Sequence, residues 1–192
     1  MNQRLDYSYF TQFLLLAVLF TFVACHSKVE ESTAAAGPKP PSMTVHQAAF
    51  MGDAKAIEQH VKAGTDLNQK DEYGSTPLNI AATFDKAEIA KLLIDAGADL
   101  SIQSNDGSTA LHTAAFFGRK EIVKALLDAD ADIEAKNNYG STALASIAAP
   151  FEQVKPIYDQ ISKDLGPLGF KLNYEELKAT LPEIVELLSN KQ

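Results

Sequence analysis

Cysteine is nearly absent from this chain: Cys25 is the only one among 192 residues, so no intramolecular disulfide can staple the fold. Histidine is scarce as well, with four copies at 26, 46, 60 and 112. They form no HExxH pair, and there is no paired CxxC and no EF-hand loop, so a metal site has no support. No G-x-S-x-G elbow and no phosphate-binding glycine loop occurs, and no catalytic residue or cofactor is assigned. Positive charge is in deficit: 17 Lys and Arg stand against 25 Asp and Glu, a net charge of −8. The pI near 5.0 lacks the basic footprint of a nucleic-acid binder and gives no charge-driven adhesion to anionic lipid. One apolar run, Phe13 to Val23, is of signal-peptide length and too short to span a bilayer.

What the chain does have is a period. Gly74, Gly107 and Gly140 stand 33 residues apart, and each opens the same phrase: GSTPLNIAA, GSTALHTAA and GSTALASIAA. A second phrase keeps the same spacing, from Ala63-Gly64-Thr65-Asp66-Leu67-Asn68 to Ala96-Gly97-Ala98-Asp99-Leu100-Ser101 to Ala129-Asp130-Ala131-Asp132-Ile133-Glu134. A weaker first copy, Val45-His46-Gln47-Ala48-Ala49, lies one period before Leu78-Asn79-Ile80-Ala81-Ala82. Such a period marks a repeat array, in which each unit buries its apolar face only against its neighbours.

The residues inside each unit predict two helices. Thr76, Thr109 and Thr142 stand at N-cap positions, and Pro77 suits a first turn. The Ala-Ala pairs allow close helix approach. Ile89, Leu92, Leu93 and Ile94, then Ile122, Leu126 and Leu127, form apolar stripes at helical spacing. Gly64, Gly97 and Asp130 fall where a left-handed residue ends the second helix. In the first unit Gln59 and His60 replace Leu92 and Leu93, which predicts a polar, solvated outer cap.

The phrase at Thr76-Pro77-Leu78 resembles the T-P-L-H-x-A motif of ankyrin repeats, and the resemblance runs from about Met43 to Ala149. It implies an all-α ankyrin-repeat solenoid of about four helix-turn-helix units joined by hairpin loops. It also implies that His46 and His112 hydrogen-bond backbone between units. Asn79 can do the same and Ala145 cannot, while Asp66, Asp99 and Asp132 belong to turns. Recognition in such arrays uses the concave side. Transferred here, that surface comprises Phe50, Met51, Thr83, Phe84, Phe116 and Phe117 after the Ala-Ala pairs. The hairpin tips add Glu72, Tyr73, Asn105, Asp106, Asn138 and Tyr139. About half of the aromatic rings are expected to pack into the neighbouring unit.

The two ends differ from the array. Residues 1–24 read as a signal peptide. Phe22-Val23-Ala24-Cys25 resembles a bacterial lipobox, with Phe22 where leucine is usual. That implies lipidation of Cys25 and, with His26 rather than aspartate next, an outer membrane facing the periplasm. Residues 25–42, with Pro38, Pro40 and Pro41, read as a flexible tether. The ankyrin domain is assigned to 43–192. Within it, residues 150–181 form a helical insertion before Pro182-Glu183-Ile184-Val185-Glu186-Leu187-Leu188 restores the last second helix. Phe151, Val154, Tyr158, Ile161 and Leu165 share one helical face there, with Pro156 kinking or starting the helix. Asn173 with Glu176, and Thr180 with Glu183, have capping-box spacing. The insertion is expected to cover the open end of the array.

Together these features predict a monomeric, non-enzymatic, membrane-tethered adaptor that binds an unidentified protein, with the lipid as its only membrane contact. Beside a structural role, as a periplasmic spacer or a homo-oligomer built through the aromatic row, two alternatives stay open. One is an immunity-type inhibitor whose acidic surface suits a basic toxin. The other is an enzyme with a site shaped by the insertion, for which Tyr158, Asp159, Tyr174 and Glu175 are the polar groups available.

Overall fold

The computed structural model describes residues 39–191, so the segment expected as a signal peptide, Cys25 and most of the expected tether lie outside the described residues. Nine α-helices and no strand occur among the described residues, an all-α solenoid. Unit one is α1 (Val45–Met51) and α2 (Ala54–Lys62), unit two α3 (Pro77–Thr83) and α4 (Ala87–Asp95), unit three α5 (Ala110–Phe116) and α6 (Lys120–Asp128). Unit four begins with α7 (Ala143–Ile147). The chain then runs through α8 (Phe151–Leu165), a 3-10 turn (Gly166–Leu168) and α9 (Tyr174–Ser189). The inner helices α1, α3, α5 and α7 stack in one layer and the outer helices α2, α4 and α6 in another. Helix α9 packs on α6 and α7 and so takes the outer place of unit four.

Short inner helices form because each is capped and backed by small residues. Thr76 is extended at φ −82°, and its hydroxyl accepts the Asn79 N–H, satisfying one of the first free donors of α3. Thr142 does the same for Ala145, and Thr44 closes a capping box with Gln47. The pairs Ala48-Ala49, Ala81-Ala82 and Ala114-Ala115 have no exposed surface, which sets the close spacing of the inner layer. Ile57, Leu93, Ile122 and Leu126 fill the seam between layers with equal completeness. Asp130 takes the left-handed place of Gly64 and Gly97 at φ +57°. A second left-handed position between the two helices of each unit went unread: Gly52, Asp85 and Gly118.

Three expectations need correction. His60 is buried, not a solvated cap. Its Nε2 donates to the Met43 carbonyl at 2.9 Å and its Nδ1 pairs with the Thr65 hydroxyl at 3.0 Å. Both ring nitrogens are therefore satisfied where the other units place a leucine. Pro156 does not start its helix, since α8 begins at Phe151 and carries the proline inside. Thr180 does not cap a helix either. Asn173 caps α9 through the Glu175 and Glu176 amides, and α9 continues through Pro182 while Thr180 bonds back to the Glu176 carbonyl.

The insertion does not simply cover the open end. Helix α9 seals it with Ile184 and Leu188, both buried, and with a Lys120–Glu183 ion pair. Helix α8 and the segment after it instead reach back along the inner-helix termini of units two and three, through Tyr158 and Phe170.

Candidate functional site

The hairpin tips are built by the same local chemistry in each unit. In the turn 71–74, the Gly74 N–H donates to the Asp71 carbonyl at 2.9 Å, and the Asp71 carboxylate accepts the Tyr73 and Ser75 amides. Asn137 repeats this for Tyr139, Gly140 and Ser141. In unit three, Gly107 closes on Ser104 and Asp106 accepts the Ser108 amide. The tips of units three and four then bond to each other. Asn138 donates its backbone N–H to the Asp106 carbonyl and its side-chain amide to the Asn105 carbonyl, both at 3.0 Å. At Gly107 a Cβ would stand 2.5 Å from the Asn138 nitrogen, so only glycine permits this approach.

These contacts leave Glu72, Asn105, Asn138 and Tyr139 exposed and Tyr73 and Asp106 partly so, in register along one edge. Burial raises the Tyr73 phenol pKa, and Glu72 adds to the shift; burial and then Asp106 raise Tyr139. Both phenols are therefore neutral at physiological pH.

Beneath the tips, the fourth residue of each inner phrase ties one unit to the next. His46 donates to the Gln69 carbonyl at 2.9 Å, Asn79 to Ser108 at 3.5 Å and His112 to Ser141 at 3.0 Å. The His112 Nδ1 accepts the Thr109 N–H at 3.3 Å and pairs with the Thr109 hydroxyl at 2.9 Å, an arrangement that suits the neutral ring with its proton on Nε2. Burial pushes its pKa below the ordinary value, opposed by the Ser141 bond and Asp106.

The inner helices α1, α3, α5 and α7 contain no Asp, Glu, Lys or Arg. Their aromatic row, however, is not an open groove. Phe117 is buried, and Phe84 and Phe116 are partly buried. Phe170 bridges Phe84 and Phe117 at ring-centroid distances of 6.3 and 5.1 Å. Tyr158 lies 4.8 Å from the Phe116 ring and donates its hydroxyl to the Phe116 carbonyl at 2.8 Å. The Thr83 hydroxyl is spent on the Asn79 carbonyl. Only the unit-one end of the row stays open: Met51 is 65% exposed, beside a half-buried Phe50. The row was expected as a partner surface; along units two and three it serves instead as the seat of the insertion.

Arg119 is the residue that sequence reasoning passed over. Its side chain is only 10% exposed. It donates to the Thr83 and Lys171 carbonyls at 3.4 and 3.1 Å, pairs with Asp85 at 3.5 Å and stands over the Phe117 and Phe170 rings. One guanidinium thus joins unit two, unit three and the insertion. No local pattern marked it, because its partners lie up to 52 residues away.

Of the groups offered for catalysis, Tyr158, Asp159 and Tyr174 are engaged with neighbouring groups. Burial raises the Tyr158 phenol pKa, and its hydroxyl is committed to Phe116. Asp159 is exposed, and hydrogen bonds from Lys155 and then Tyr174 hold its carboxyl below the usual range. Glu175 is an exposed first-turn residue of α9. No group of three or more potential metal-binding side chains occurs among the described residues, and no helix there is long and apolar enough to cross a membrane.

A stack of helix pairs with bonded hairpin tips defines a repeat-type interaction fold. The family model described as "Ankyrin repeats (3 copies)" matches residues 45–137 and 99–155, and the chain belongs to the ankyrin-repeat family. A segment of 49 residues is 40% identical to protein phosphatase 1 regulatory subunit 27 from Homo sapiens, and equally to that from Mus musculus. The match covers 26% of this chain and 32% of each relative, so it spans about a third of their length. The ankyrin array makes the chain a protein–protein interaction module.

Proposed function

We propose that this chain is a non-enzymatic adaptor, tethered through a lipidated Cys25 to the bacterial outer membrane, that holds a periplasmic protein on its hairpin-tip edge. The observation that carries the reading is the tip edge itself. Glu72, Tyr73, Asn105, Asn138 and Tyr139 are presented in register on internally hydrogen-bonded turns, and the turns of units three and four also bond to each other. A surface ordered before binding loses little entropy when a partner arrives, and tyrosines in a polar frame suit protein recognition. The likeness to a subunit named as regulatory favours control by contact over chemistry. Of the residues weighed for catalysis, Tyr158, Asp159 and Tyr174 are already engaged with neighbouring groups, which favours binding over chemistry.

The test uses the full chain as bait in an envelope extract, with Cys25→Ser and Tyr73→Ala/Tyr139→Ala as comparisons. The expected result is one protein retained by wild type and by Cys25→Ser but lost from the folded double variant. Only wild type and the double variant should sediment with membranes. Retention unchanged by the double variant would remove the tip edge from the interface, and membrane association of Cys25→Ser would remove the lipid anchor.

A further inference from the structure

We propose that the junction of units one and two is a docking slot for an aromatic side chain carried on an extended segment of a partner protein. The idea rests on the binding-module reading and adds the chemistry of what is bound. The chain displays that chemistry in its own structure. At the junction of units two and three, Phe170 bridges Phe84 and Phe117. The Arg119 guanidinium stands 5.7 Å from the Phe170 ring and donates to the carbonyl of the next residue, Lys171, at 3.1 Å. Two walls from adjacent units and a cation at the start of an outer helix therefore hold an aromatic side chain and its backbone.

The same three positions recur one period earlier. Met51 stands for Phe84, Phe84 for Phe117, and Lys86 for Arg119. Phe50 backs the slot, its ring edge-on to Phe84 at a centroid distance of 4.7 Å. The Lys86 stem lies along Gly52, where a Cβ would come within 3.3 Å of Lys86 Cδ, so the side chain runs along the wall of the slot. No segment among the described residues plays the part of Phe170 here. Met51 is 65% exposed, and Lys86 has no ion-pair partner among the described residues. A thioether and an aromatic face together make a good seat for an incoming ring. Lys86 supplies the backbone-carbonyl donor that Arg119 supplies in the occupied copy.

The probe is a fluorescein-labelled peptide with the sequence of residues 166–173, beside a control in which the position of Phe170 is alanine. Binding to the full chain is followed by fluorescence anisotropy. The expected result is saturable one-site binding, at least tenfold weaker for the control peptide and for the Met51→Asp and Lys86→Glu chains. Both variants should keep the wild-type melting midpoint, since neither residue lies in the core. No saturable binding to wild type overturns the proposal. So does binding that both variants leave unchanged, because the peptide would then sit where Phe170 normally sits. A wild-type dimer broken by Met51→Asp would overturn the partner assignment in favour of a second copy of this chain. If the tip variants lose a captured protein while the peptide fails to bind, the slot alone falls and the adaptor reading stands.

Discussion

The repeat stack of units one to three and the C-terminal segment from α8 to α9 are held by different means. In the stack, every junction uses the same small set: paired alanines with no exposed surface, a leucine or isoleucine seam, and a His or Asn bonded to the next hairpin. The C-terminal segment follows no period. Beside the buried apolar faces of α8 and α9, it is fixed through a few large groups: Tyr158 on Phe116, Phe170 on Phe84 and Phe117, and Arg119 across unit two, unit three and the insertion. The stack is therefore specified many times over by local sequence, whereas α8 and the segment after it depend on single long-range contacts. Nearest-neighbour coupling makes each array junction necessary to the next. The insertion, joined at fewer points, is free to open as a smaller unit.

Paired truncations test this contrast most strongly. Leu126→Ala empties a fully buried site in α6 and should cost about 2–5 kcal/mol, lowering the urea midpoint of the entire array. Phe170→Ala removes a larger side chain, worth about 3–5 kcal/mol at a closed site. Its loss should stay local: amide exchange should quicken across α8 and its connection to α9, while α1 to α6 keep their protection. Uniform loss of protection through unit one in the Phe170 variant would mean that insertion and stack fold as one unit.

A sharper cut separates two glycines of equal backbone conformation. Gly107 and Gly140 have φ of +79° and +75°, yet a Cβ meets the Asn138 backbone at 2.5 Å in the first and nothing within 4 Å in the second. Gly140→Ala should cost about 1–2 kcal/mol for the left-handed conformation alone. Gly107→Ala should cost about 1–3 kcal/mol more, because the neighbouring tip must move and its bond to Asp106 is lost. Chemical denaturation of both variants measures the difference. Equal midpoints would show that the tips contribute nothing to the coupling between units.

The legible parts of the fold were those written in the period. The Thr76 and Thr142 caps, the Ala-Ala layer, the left-handed Gly64, Gly97 and Asp130, and the His-to-carbonyl ties all repeat, so each copy supports the others. The turns carrying Glu72, Asn105 and Tyr139 were legible for the same reason. His60 was misread because a polar residue in an apolar place looks solvated when its partners, Met43 and Thr65, carry no repeat mark. The covering of Phe84, Phe116 and Phe117 was missed because Phe170 lies 53 residues beyond Phe117, and no local spacing links them. One signal was available. Phe170 directly follows the glycine- and proline-bearing stretch Gly166-Pro167-Leu168-Gly169, and a lone aromatic beside such a stretch needs somewhere to be buried.

The mildest test asks whether the stack's polar ties are interchangeable. Unit two uses Asn79 where unit three uses His112, and both donate to the next hairpin. The two differ in one respect, since the imidazole can take a proton and the amide cannot. Protonating His112 would turn its Nδ1 into a donor facing the Thr109 N–H, and burial already lowers its pKa in the folded chain. The unfolded chain therefore binds this proton more readily. His112 contributes its full stability above the ordinary histidine pKa of about 6.5 and loses part of it as pH falls below that value toward the folded one. His112→Asn should match wild type at pH 7.5 within a few tenths of a molar in urea midpoint, and should lose less on acidification to pH 5. His46 and His60 are common to both chains and cancel in the comparison. Parallel acid profiles would mean that the tie between units three and four accepts a charged ring, and that its geometry, not its neutrality, is what the stack requires.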